Sequence, residues 1–121
     1  MGRNKRISRE AQGMKYSHDY PKLRFSQYTT IRRYKKANLH AIVTENFPSG
    51  CHKAQVIKIE RRTLDSLSLL ELQSDTGCLT RKEAYYLFQS FYKKSIDFSK
   101  ERFYIYHLKV IQNLADSGQE E

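Results

Sequence analysis

Residues 25–36 gather the chain's most reactive mixture of side chains. The hydroxyls of Ser26, Thr29 and Thr30 stand there with the rings of Phe25, Tyr28 and Tyr34 and the cations Arg32, Arg33, Lys35 and Lys36. A guanidinium grips phosphate through two parallel N–H donors, and a tyrosine ring offers a face to an unstacked base. That combination suits nucleic-acid binding. A plain strand, with Tyr28 and Ile31 turned into a core and the cations in water, accounts for the same residues. Composition alone leaves the two open.

The charge distribution favours the first. The 121-residue chain has 22 Lys and Arg against 13 Asp and Glu, a net +9. Residues 1–36 hold Arg3, Lys5, Arg6, Arg9, Lys15, Lys22, Arg24, Arg32, Arg33, Lys35 and Lys36 against only Glu10 and Asp19. Residues 37–121 carry eleven charges of each sign. Such asymmetry points to a polyanion, most often a nucleic acid, RNA or DNA.

Other chemistries lack their residues. Cys51, Cys78, His18, His40, His52 and His107 show no zinc spacing, so no metal is expected. Five glycines are too few and too scattered for a phosphate-cradling loop, and no cofactor is expected. No apolar run approaches the roughly 18–20 residues that span a bilayer, and the basic, polar N-terminus is unlike a secretory signal. The expectation is a cytoplasmic protein without a membrane partner and without disulfides.

The elements that would position these residues are mixed. Residues 1–20 lack a hydrophobic period and read as a flexible basic arm carrying Arg3, Lys5, Arg6, Arg9 and Lys15. Pro21 marks the boundary of a domain over 21–112, and 113–121 reads as an acidic, disordered tail. Residues 22–25 alternate as a short strand, whereas 29–34 are compatible with strand or loop. Residues 38–44 alternate, with Leu39, Ala41 and Val43 on one face. Residues 47–50 signal a turn, and 53–61 form a strand with apolar residues on both faces.

Two helices follow. Leu64, Leu67 and Leu70 predict the first, capped by Thr63 or Ser66 and ending near Ser74. Thr80 and Glu83 form a capping box for the second, whose apolar face is Ala84, Leu87, Phe88 and Phe91. A last strand over 102–111 pairs with an early one. The predicted class is α+β, a curled, barrel-like sheet with two helices inserted before the final strand.

Four segments, in order, resemble the ASCH family, a branch of the PUA-like fold associated with RNA. Thr30-Ile31-Arg32 matches the end of its motif, and Ala54 to Arg61 resembles its central strand. Leu72 to Ala84, with Asp75 before the Thr80 helix, resembles its helical insert. Phe103 to Leu108 resembles its terminal strand. The resemblance spans about residues 22–111. It implies a PUA-like barrel and an RNA-binding pocket.

Small family members that hydrolyse acylated cytidine use lysine, threonine and glutamate. Here Thr30 matches the threonine, and Asp75 would stand in for the glutamate. Gln27 occupies the lysine position, and Phe25 the glycine position. Glutamine cannot accept a proton at neutral pH, which favours binding over catalysis. Lys22 or Arg24, in a neighbouring turn, is the candidate for the missing charge.

The basic segment, the charge asymmetry and the resemblance together point to an RNA-binding module. Its contacts would be Lys22, Arg24, Gln27, Thr29, Thr30, Arg32, Arg33, Lys35 and Lys36, with the basic arm adding sequence-independent affinity. The alternatives are an enzyme acting on RNA or a modified nucleoside through Thr30 and Asp75, a ribonuclease or an acylated-cytidine amidohydrolase, and a protein-interaction module docking on an acidic partner.

Overall fold

A computed structural model describes residues 13–112. Within them lies one five-stranded mixed sheet, with strand order β1-β3-β4-β5-β2. The strands are β1 (Gly13–Lys15), β2 (Gln27–Arg32), β3 (Ile42–Phe47), β4 (Gly50–Thr63) and β5 (Arg102–Gln112). A two-residue loop, Pro48 and Ser49, joins β3 to β4. All neighbouring pairs are antiparallel except β1 with β3.

Two helices, α1 (Leu69–Thr76) and α2 (Arg81–Ser90), precede β5. Each begins at a complete capping box, Ser68 with Glu71 and Thr80 with Glu83. The class is therefore α+β, with both helices placed before the last strand. No helix among the described residues is long and apolar enough to cross a membrane.

β5 explains how so small a chain buries two cores. Its side chains alternate between the sheet's faces. Phe103 and Ile105 meet Ile31, Leu64, Leu67, Leu72, Ala84, Phe88 and Ile96 under the helices. Tyr106 and Leu108 face the other way, onto Met14, Tyr16, Leu23, Val43, Ala54 and Val56. A register shift in β4 between Val56 and Lys58 marks a bulge, the feature by which long strands bend.

Several expectations need correction. The sheet does not close into a barrel, because β1 and β2 remain its outer strands. On β2, the outward carbonyl of Thr29 is taken by the Lys22 side chain rather than by another strand. Residues 22–25 are not a strand either. Pro21 starts a 3₁₀ turn over Pro21–Arg24, which buries Leu23.

The arm expected over 1–20 gives way at Gly13. Met14 and Tyr16 alternate inward, and β1 joins the sheet. The third strand begins only at Ile42, after His40 takes a positive φ of 70°. Leu64 and Leu67 are buried by a separate 3₁₀ turn, and Leu70 is exposed at the start of α1. The expected triad of leucines is therefore not one helical face. Residues 1–12 and 113–121, including Arg3, Lys5, Arg6 and Arg9, lie outside the described residues.

Candidate functional site

The free edge of β2 is the centre of the site. Along a strand, successive residues aim their N–H and C=O groups to opposite sides. The Ser26 carbonyl accepts from Val110 of β5. On the other side, the Thr29 carbonyl accepts from Lys22 Nζ at 2.7 Å, and the Arg33 N–H donates to the Tyr92 hydroxyl at 3.1 Å. By this alternation the N–H and C=O of Ile31 lie on the open edge.

Beside that edge is a cavity of about 450 Å³. One wall is Lys15, Tyr16 and Tyr20 from the N-terminal segment. The other is Leu87, Phe88, Phe91 and Tyr92 from α2 and the turn after it. Ile31 lies between them. Four cations, Lys15, Lys22, Arg32 and Lys36, line the cavity against a single carboxylate, Asp75.

Two of these charges are buried together. Lys22 and Asp75 are each 5 % exposed. Lys22 Nζ lies 3.1 Å from Asp75 Oδ1, and the Thr29 hydroxyl donates to Asp75 Oδ2 at 2.8 Å. Asp75 is held there by the last turn of α1, which stops at Gly77 with a left-handed φ of 79°. The 3₁₀ turn after Pro21 carries Lys22 in from the opposite side. Its ammonium also lies 5.3, 5.7 and 6.0 Å from the ring centres of Tyr16, Tyr20 and Tyr28. Burial pushes the Lys22 pKa down, and Asp75 opposes that shift.

A second polar cluster supports Tyr16 from behind. Glu45 is fully buried and accepts hydrogen bonds from the hydroxyls of Tyr16 and Tyr28. His52 Nε2 lies 2.9 Å from Glu45 and 2.6 Å from the Tyr28 hydroxyl. Burial and the Glu45 charge raise the pKa of both tyrosines. Both therefore remain neutral donors at ordinary pH.

Of the residues expected in the site, Lys22, Thr30, Arg32, Lys36 and Asp75 line the cavity. Thr29 reaches Asp75 but stands behind the lining. Thr30 does not bond Asp75; its hydroxyl accepts from Arg32 Nε at 3.2 Å. Arg32 also reaches the Lys15 carbonyl at 3.2 Å, and its guanidinium lies 4.9 Å from the Tyr16 ring centre.

The remaining expected residues are elsewhere. Arg33 is committed to Glu101 and to the carbonyls of Lys94 and Ser95, which makes it a structural tie. Gln27 and Lys35 are exposed and away from the cavity lining. Arg24 lines a smaller, separate depression with Asp19, Tyr20, Leu23, Phe47 and Ser49.

Sequence reasoning missed Tyr16, Tyr20 and the wall from α2. The alternation of Met14, Lys15 and Tyr16 was the available signal for the first. Tyr92 carried none, because its place beside Arg33 is set by tertiary packing 59 positions along the chain.

Among the described residues no group of three or more His, Cys, Asp or Glu could hold a metal ion. Compared with family models, curated proteins and solved structures, the chain matches none of them.

Proposed function

We propose that the protein binds single-stranded RNA by seating one nucleotide in the cavity at the β2 edge. The observation that carries this reading is the cavity's composition: four cations against one carboxylate, between aromatic walls. A volume of about 450 Å³ falls within the range of small-molecule sites. It suits a nucleotide better than a longer oligomer.

The parts have complementary tasks. Asp75 balances Lys22, so the free positive charge belongs to Lys15, Arg32 and Lys36. These would meet phosphate. The Ile31 N–H and C=O offer an adjacent donor and acceptor to a base edge. Tyr34 and Tyr92 supply ring faces for stacking. The resemblance to ASCH domains agrees with this reading.

Arg32 gives the test. Arg32→Ala should weaken binding of a single-stranded RNA by about 1–3 kcal/mol, the worth of a bidentate contact. Arg32→Lys should recover little if a base edge is read, and much if only phosphate is held. Melting temperatures measured alongside separate a lost contact from a loosened β1, since Arg32 also bonds the Lys15 carbonyl. Unchanged affinity in both variants would remove the cavity from the binding surface.

A second reading rests on one specific feature, the convergence of an amine, a hydroxyl and a carboxylate at Lys22, Thr29 and Asp75. Lys22 supplies from a neighbouring turn the amine that Gln27 cannot. A lysine with a depressed pKa can act as a base. Turnover of acylated cytidine by the natural protein, lost in Asp75→Asn, would replace binding with hydrolysis.

A further inference from the structure

Three strands carry a row of side chains leading away from the cavity. Arg32 of β2 stands opposite Tyr104 of β5, and Tyr104 stands opposite Arg61 of β4. Directly opposed residues share a face of the sheet. Arg32 lies in the cavity lining, so the row begins there. Two strand spacings separate Arg61 from it, roughly 10 Å.

The far end of the row is an exposed cation lying over an aromatic ring. The Arg61 guanidinium carbon lies 4.1 Å from the Tyr104 ring centre. Tyr104 is itself nearly parallel to Tyr106, at 12° and 6.1 Å. The Tyr106 hydroxyl accepts from the backbone N–H of Lys36 at 2.6 Å and of Ala37 at 3.3 Å. That anchors the 33–41 connection beside the same row, with Lys35 and Lys36 exposed on it.

The charges here are uncompensated. Among the described residues, no salt bridge involves Arg32, Lys35, Lys36 or Arg61. The neighbouring Arg33 and Arg62 both have carboxylate partners. A purely structural Arg61–Tyr104 pair would explain the stacking. It would not explain why the unpaired cations adjoin the cavity.

We propose that this row carries the RNA strand out of the cavity, with Arg61 contacting the nucleotide next to the one seated inside. The guanidinium, packed over Tyr104 and exposed to solvent, offers a surface for a base to stack on, and those of its N–H groups not turned to the Arg102 carbonyl are available to the adjoining phosphate. The occupant is single-stranded RNA because an exposed aromatic–guanidinium pair takes an unstacked base, which a duplex does not offer. The proposal rests on the cavity reading above.

A single-stranded RNA decamer of random sequence, titrated at several salt concentrations, tests it. Arg61→Ala should weaken binding about tenfold and lower the slope of log K against log salt by about one phosphate contact. Arg61→Lys should recover only part of the affinity, because an ammonium has no stacking plane. The melting temperature should stay near that of the natural protein; Arg61→Gln, which keeps a planar group without charge, serves if the alanine variant is unstable.

The outcomes separate the two readings. If Arg32→Ala loses affinity while Arg61→Ala binds within twofold of the natural protein, the exit path is overturned and the cavity stands. If Arg61→Lys binds fully, stacking is overturned. If the natural protein does not bind the decamer, both readings fall.

Discussion

An ammonium as buried as that of Lys22 is costly, and it persists because Asp75, the Thr29 carbonyl and three tyrosine rings surround it. Glu45 presents the opposite problem and the same solution. Its carboxylate is held by two phenols and an imidazole.

This arrangement has a consequence at high pH. Tyr16 and Tyr28 have folded pKa values above the ordinary 10.0, through burial and the nearby Glu45 charge. The folded protein therefore keeps protons that the unfolded chain releases. The stabilisation is fully present below pH 10 and is lost as pH rises above it. Lys22 has the reverse sign, since its pKa is depressed below 10.5. Its contribution favours folding increasingly up to that pH and then levels off. Above pH 10.5 the raised tyrosines bring stability down, with Tyr85 adding to Tyr16 and Tyr28 through its burial and its bond to Asp65. Melting temperature should fall with pH in that range, and less steeply in Tyr28→Phe. Phenolate absorbance should show Tyr16 and Tyr28 ionising only on unfolding. Early, reversible ionisation of all nine tyrosines would contradict the buried cluster.

At the level of elements, the ends of α1 matter most, because its last turn delivers Asp75. Gly77 closes the helix in the left-handed region, and its N–H donates to the Gln73 carbonyl at 2.8 Å. A Cβ at this position would meet no atom within 4 Å. The cost of Gly77→Ala is thus backbone strain without a clash, about 1 kcal/mol. Urea denaturation should show a lower midpoint with an unchanged slope, and Gly77→Asn should lose less. An alanine variant as stable as the natural protein would mean that the left-handed cap is not maintained in solution.

The same elements show what local sequence could reveal. The Thr80–Glu83 box marked the start of α2, because both partners lie within one turn. Ser68 and Glu71 carry an identical signal for α1, but the leucine spacing drew the expected start upstream. Residues 22–25 looked like a strand by alternation, yet Pro21 at the first position of a 3₁₀ turn decided otherwise. Thr30, Arg32 and Asp75 all line the cavity, and that they come together was legible. That Thr29, not Thr30, reaches Asp75 was not. It depends on which face of β2 meets α1, and no spacing within either segment fixes that.

For the whole molecule, the decisive boundary is Gly13. Residues 13–112 contain eighteen bases and nine acids, so the described residues alone carry the full +9. Residues 1–12 add a net +3 and residues 113–121 a net −3, which cancel. Two truncations therefore test different things. Removing 1–12 deletes Arg3, Lys5, Arg6, Arg9 and Glu10 and leaves β1 in place. If the arm touches phosphate, the slope of log K against log salt should become shallower by up to about four contacts. Removing 1–20 also deletes Met14 and Tyr16 from the core, the Glu45 bond of Tyr16, and the cavity wall. Losing one large buried side chain costs about 2–5 kcal/mol, so the longer truncation should melt far below the shorter one and, on the proposed function, bind RNA poorly even at low salt. Equal melting temperatures would show that 13–20 does not pack as β1 and its continuation, and would take Lys15 and Tyr16 out of the site with it.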